Sequence, residues 1–197
     1  MNRSTIILLS VLGLFVLLIL WSVGAYNRLV GLSESTESQW ANVQSAYQRR
    51  ADLIPNLVST VKGYADFEQE TLTGVIEARS KATSVQISAD DLTPEKVAAF
   101  QKAQGELKGA LSRLLVSVER YPDLKANQNF LALQSQLEGT ENRINVERDR
   151  FNEQVRTYNS AVKRIPTSIV AAMGGFEARG YFEAEAEAQE APEVSFE

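Results

Sequence analysis

Residues 5–25 read TIILLSVLGLFVLLILWSVGA, an apolar run without a single charge. About 20 such residues cross the roughly 30 Å of bilayer hydrocarbon as one helix. The run has no polar face, so it does not fit the amphipathic pattern of a core helix in a soluble protein. Trp21 and Tyr26 stand near its end, where aromatic rings suit the headgroup level. We read residues 1–25 as a membrane anchor, with Ile6, Leu12, Phe15, Leu18 and Trp21 among its apolar side chains. The competing reading is a cleavable signal sequence, since Arg3 gives a basic start and Val23-Gly24-Ala25 a small-residue cleavage site. The length of the run, and the helical register that continues beyond it, favour a retained single-pass anchor. Arg3 and the terminal amine before the span outweigh Arg28, the one basic residue close after it, with Glu34 and Glu37 following. That balance favours an extracytoplasmic bundle.

Composition removes whole classes of chemistry. The chain has no histidine and no cysteine. It therefore lacks the usual general base near neutral pH, the commonest zinc ligand, thiol nucleophiles and disulfides. A net charge of -5, concentrated toward the last residues, argues against nucleic acid, whose phosphates call for a basic face. No catalytic, cofactor-binding or metal site is assigned, and a non-enzymatic role is expected.

Beyond the anchor, the apolar spacing is helical almost throughout. Trp40, Val43, Tyr47, Ala51, Ile54, Val58, Val61, Ala65, Glu68, Leu72 and Val75 recur in steps of three and four, close to a coiled-coil seam. This predicts one long helix from residue 26 to about residue 80, kinked near Ile54 by Pro55 and softened at Gly63. Residues 83–92 lose the period and read as a loop. Thr93-Pro94-Glu95 opens a second helix with a capping hydroxyl, a first-turn proline and an acid. That helix carries Val97, Phe100, Gln104, Leu107, Leu111, Leu114, Leu115 and Val118 and stops at Tyr121-Pro122. A third, from about Asn127 to Arg164, turns Phe130, Leu133, Leu137, Ile144, Phe151, Val155, Tyr158, Val162 and Ile165 inward. A short fourth helix, 167–173, ends at Gly174-Gly175. Phe176, Tyr181 and Phe182 are apolar enough to fold back. The fold class expected is all-α: a transmembrane helix (1–25), an antiparallel bundle (26–182) and an acidic disordered tail (183–197).

The run RRADLIPNLVSTVKGYA at 49–65 resembles the signature of the LemA family. The likeness extends to Tyr26-Asn27, Trp40, YPDLKAN at 121–127 and FLALQSQLEGTENRI at 130–144. It continues through Arg148, Asn152, Tyr158-Asn159, Pro166, Gly175-Phe176 and Tyr181-Phe182. The resemblance implies a bacterial cell-membrane protein with one N-terminal anchor and a long helical domain. Members of that family are tied to membrane remodelling in magnetosome formation, and others to a membrane-embedded metalloprotease. Some carry a lipid-bearing cysteine before the Tyr-Asn pair. Here Gly24-Ala25 occupy those positions, which excludes that attachment.

Arg49, Arg50, Asp52, Asn56 and Lys62 crowd around Pro55. They fit either a recognition patch or a network inside the bundle with Glu138, Glu141 and Arg148, which would fix helix register. The internal network is favoured. Asn56 is the local candidate to bond the carbonyl that Pro55 leaves without a donor. Glu68, Glu138, Glu141 and Glu147 suggest a carboxylate metal site only superficially, since Glu-x-x-His pairs are missing. Val194 and Phe196 alternate near the end of the acidic stretch and suit docking as an added strand. The expected role is a self-assembling scaffold in the membrane. The alternative is an adaptor that docks a membrane protease or another envelope protein through the bundle or the tail.

Overall fold

The computed structural model describes residues 2–63 and 68–183. Six helices follow one another: α1 (Arg3–Lys62), α2 (Gln69–Ser84), α3 (Pro94–Val118), α4 (Pro122–Lys125), α5 (Gln128–Lys163) and α6 (Thr167–Met173). Among the described residues there is no strand. The all-α class read from the sequence holds.

α1 is one helix of 60 residues, about 90 Å at 1.5 Å per residue. Its first third contains the one described segment long and apolar enough to cross a membrane, and none of that segment is buried. Ile6, Leu12, Phe15, Leu18 and Trp21 are all exposed there. From Leu29 onward the same helix becomes the spine of the bundle. Trp40, Val43, Tyr47, Ile54, Leu57, Val58 and Val61 are buried because their three- and four-residue steps keep them on one stripe.

α5 packs antiparallel along that stripe, with Trp40 beside Phe151 and Arg50 bonded to Glu141. α2 and α3 form a second antiparallel pair, with Gln104 reaching the Ala82 carbonyl and Ser117 reaching Glu68. The core has two parts. The distal one joins Ile54, Leu57, Leu72, Val75, Leu107, Leu114, Leu124, Phe130 and Leu137. The proximal one joins Trp40, Val43, Ile87, Leu92, Val97, Phe100, Phe151, Val155 and Phe182. In this proximal half α2 is absent, and residues 85–93 and 176–183 take its place. The cap expected at Thr93 forms, accepting from the Lys96 N–H, and α5 is capped as well, Asn127 accepting from the N–H groups of Asn129 and Phe130.

Two sequence expectations are corrected. The single helix predicted to about residue 80 is two helices, because α1 ends at Gly63 and α2 starts after Glu68. Leu72 and Val75 are buried as expected, but on the returning helix; the apolar period carries across the break because both helices face the same core. Ala65 lies outside the described residues. Glu68 is no seam residue but precedes α2, where it accepts from Ser117 and Thr71 and pairs with Arg120. The Ser117 hydroxyl holds its carboxyl below the ordinary glutamate value, against the opposing pull of desolvation. The second correction is Ile165, expected inside and found 85% exposed.

Pro55 lies inside α1 on its exposed side, and the helix runs on through it. Having no N–H, it leaves the Ala51 carbonyl without its helical donor. Arg79 of α2 supplies one, with Nε 2.8 Å from that oxygen. Asn56 does not: it is exposed, and its own carbonyl accepts from Thr60. Arg79→Met should therefore cost about 1–2 kcal/mol in urea unfolding of the full chain. In a Pro55→Ala background, which restores the N–H, it should cost much less. Equal costs in the two backgrounds would rule the pairing out.

Candidate functional site

A polar layer separates the two halves of the core. Arg50 is 3% exposed. Its Nη1 bonds Glu141 at 2.9 Å, and its Nη2 bonds the side chain and carbonyl of Gln104 at 2.8 and 3.1 Å. The guanidinium also lies over the Tyr47 ring, while its Nε has no partner. Lys108 approaches Glu141 from α3 at 3.4 Å. One face of α1 thus bonds both α3 and α5 at a single level. Arg50 is enclosed but Glu141 keeps 27% of its side chain exposed, and the net worth of such a pair over an apolar one is small. Its clearest consequence is register, since a slip of one turn would leave Arg50 and Glu141 unpaired.

The structure brings together only part of the expected network. Arg50 and Glu141 meet. Arg148 sits further along α5, with its guanidinium over the Phe182 ring and Nη2 on the Glu183 carbonyl. Arg49, Asp52, Asn56 and Lys62 are exposed on the outer side of α1, where Asp52 accepts from Gln48. Glu138 is also exposed and accepts from Gln134. The internal network expected for these five does not form, because they fall off the buried stripe. The carboxylates once considered for metal lie apart: Glu147 takes Gln39, Arg143 and Arg150, and Glu68 lies at the distal end. Val194 and Phe196 lie outside the described residues.

The most specific polar construction is one the sequence reading missed. After α6 the chain turns at Gly175, which has a φ of 72°, and returns along the bundle as a strap, residues 176–183. Side-chain amides clamp its backbone. Asn159 donates to the Arg179 carbonyl and accepts from the Arg179 N–H, both at 2.8 Å. Asn152 makes the same pair with Phe182, at 2.8 and 2.9 Å. Gln101 makes it with Glu183, at 2.8 and 3.0 Å. Gly180 donates to the Leu92 carbonyl and passes so close to Pro94 that a Cβ would come within 2.7 Å of its Cα. Phe182 enters the proximal core among Trp40, Phe100 and Phe151.

Arg179 fastens the strap to α1. It is 8% exposed, and its guanidinium bonds Glu37 at 2.7 Å and the Ser33 hydroxyl and carbonyl at 2.8 and 3.1 Å. It also lies 4.8 Å over the Tyr158 ring. Burial pushes the Tyr158 phenol above its ordinary pKa, and Arg179 pulls it back. The family-like residues Trp40, Arg148, Asn152, Tyr158, Asn159 and Phe182 thus converge on one structure.

These features define a class: an all-helical bundle, closed by a clamped strap, whose longest helix begins as a segment fit to span a membrane. The LemA family model matches residues 39–196, and the chain belongs to the LemA family. It is similar to the magnetosome protein MamQ 2 of Paramagnetospirillum magneticum, at 26% identity over 80% of this chain and 64% of that protein. MamQ of Magnetospirillum gryphiswaldense is 26% identical over the same shares. Protein LemA of Metamycoplasma hominis is 27% identical over 76% of this chain and 64% of its own length. The chain thus spans just under two thirds of the length of these relatives.

Asn159→Ala removes two hydrogen bonds to the strap, about 2 kcal/mol in all. That predicts roughly thirtyfold more of the opened strap, read as faster tryptic cleavage after Arg179 in the detergent-solubilised full chain. Unchanged cleavage would show that the amide clamps do not hold it.

Proposed function

We propose that this chain is a single-pass membrane scaffold that assembles with its own kind to organise or bend the bilayer. The observation that carries the reading is the unbroken α1. A helix that is both membrane segment and bundle spine fixes the orientation of one relative to the other.

A second contact reinforces that attachment. α6 packs on α1 and α5, and beyond it the ring of Phe176 sits 5.4 Å from Tyr26, one residue past the apolar run. Ile165, Ile169 and Met173 are exposed there, at 85%, 60% and 85%. Ile169 and Met173, four residues apart on α6, share one helix face, and Ile165 lies just before that helix. At this height such a face suits the interface between headgroups and acyl chains. Held at two points, the bundle keeps a fixed tilt, and neighbouring copies pass that tilt to the membrane. Relatives named for the magnetosome agree with a role at membranes. The charges flanking the span favour a bundle outside the cytoplasm of a bacterial cell.

An adaptor is the second reading, favoured by a basic-rimmed groove between α3 and α5. In it the bundle docks a membrane partner, a membrane protease or another envelope protein.

Light scattering and electron microscopy of the full chain in mild detergent separate the two. The scaffold predicts defined assemblies larger than a dimer; a strict monomer at high concentration would overturn it in favour of the adaptor.

A further inference from the structure

The end of the bundle nearest the apolar run has an outer surface that carries cations and apolar side chains together. Arg50 with Glu141, and Trp40 with Phe151, set the antiparallel register of α1 and α5. The steps from Trp40 back to Arg28 and from Phe151 on to Lys163 are equal, so Lys163 stands level with Arg28, and Arg164 with Asn27. Arg28 itself lies less than one turn of α1 beyond Ala25, about 5 Å. The headgroup layer on each side of a bilayer is roughly 5–7 Å deep. All three cations therefore fall at headgroup height.

α6 occupies the same layer. It begins just after Arg164, and past its other end a Cβ on Gly174 would come within 3.1 Å of Tyr26 Cε2. Its sequence, TSIVAAM, contains no charge. Ala171 is buried, while Ile169, Ala172 and Met173 are exposed. A helix at a water-facing surface ordinarily turns polar side chains outward. Here the outward face is apolar, and Ile165 just before it is exposed as well.

Arg28, Lys163 and Arg164 are exposed, and among the described residues none of them pairs with a carboxylate. Glu177, the acid that follows Phe176, lies toward the bundle, where its charge acts on Tyr158. Cations beside an apolar face match a phospholipid, whose phosphate takes the charge while its acyl chains take the apolar side chains. A second copy of the chain fits less well, because covering this face would bring two sets of like charges together.

We propose that α6, with Arg28, Lys163 and Arg164, is a foot that binds anionic phospholipid at the membrane surface. Ile165, Ile169 and Met173 enter the acyl boundary, and the three cations hold headgroup phosphates around them. The inference deepens the second attachment of the bundle by naming its ligand. It rests on the reading of the apolar run as a membrane segment, and it holds whether or not the chain assembles with itself.

Because the chain has no cysteine, single spin labels can be placed without background. In nanodiscs of phosphatidylglycerol, the full chain labelled through Met173→Cys should collide with oxygen more than with a water-soluble nickel chelate. A label through Val116→Cys, 72% exposed on α3, should show the reverse, and one through Leu12→Cys reports on the apolar run. Lipid contact at position 12 with a water-exposed position 173 would overturn the foot and leave the anchor standing. Water exposure at both would overturn the anchor reading too. Arg28→Gln, Lys163→Gln and Arg164→Gln should each lower the ratio of inserted to free label about fivefold in these discs, and change nothing in phosphatidylcholine. Equal effects in the two lipids, or none in either, would overturn the recognition of anionic lipid. Spin–spin broadening at position 173 that disappears at one chain per disc would also overturn it, by making a second copy the cover.

Discussion

The guanidinium of Arg179 stacks on Tyr158 of α5 while bonding Ser33 and Glu37 of α1, and its backbone is held by Asn159. A cation this deeply enclosed is tolerable only when its donors are matched, and here they are matched by both long helices at once. The contact lies where α1 leaves the apolar segment and has not yet reached Trp40. Gly24 and Gly31 flank that stretch, and a bare helix there would make a joint. Instead Leu29 and Thr36 are buried, Tyr26 meets Phe176, and α6 lies alongside. The closing strap therefore stiffens the connection between the apolar segment and the bundle, and the proposed scaffold needs that stiffness.

The same economy explains why so much of the bundle's polarity is internal. Two elements of the proximal half, residues 85–93 and the strap, carry no helical ladder of their own, so their backbone groups need partners from the helices. Trp40 and Gln44 serve the Ile87 carbonyl, and Asn152, Asn159 and Gln101 serve the strap. Each carboxamide offers a donor and an acceptor side by side, which matches the N–H and carbonyl of a single extended residue. An apolar replacement would keep the volume and orphan both groups. Deeper in the bundle, Arg50, Gln104 and Glu141 are an analogous polar layer acting between helices.

Much of this was legible in the sequence because it follows from local rules. The buried stripe of α1 from Trp40 to Val61, the start of α3 at Thr93-Pro94, the start of α5 at Asn127 and the brevity of α6 came from spacing and capping chemistry. The break between α1 and α2 did not, because three- and four-residue steps persist on both sides of it. Arg79 was invisible for another reason: its acceptor is 28 positions away, and no spacing rule pairs a proline's orphaned carbonyl with a side chain on another helix. The polar cluster around Pro55 divides by angle around the helix. Arg50 falls on the buried stripe, while Arg49, Asp52, Asn56 and Lys62 fall beside it. The strap was foreseen as apolar residues folding back, but its clamps need a tertiary arrangement. The likeness at Asn152, Tyr158-Asn159 and Tyr181-Phe182 was the available signal, and it marked the residues without saying what they hold.

Amide hydrogen exchange of the full chain in a lipid nanodisc tests the central claim, that α1 passes rigidly from membrane to bundle. Amides at residues 31–38 should exchange orders of magnitude more slowly than in an unstructured peptide, with protection continuous into the bundle. Exchange there at the unstructured rate, beside a protected segment and a protected bundle, would reveal a joint and contradict the account.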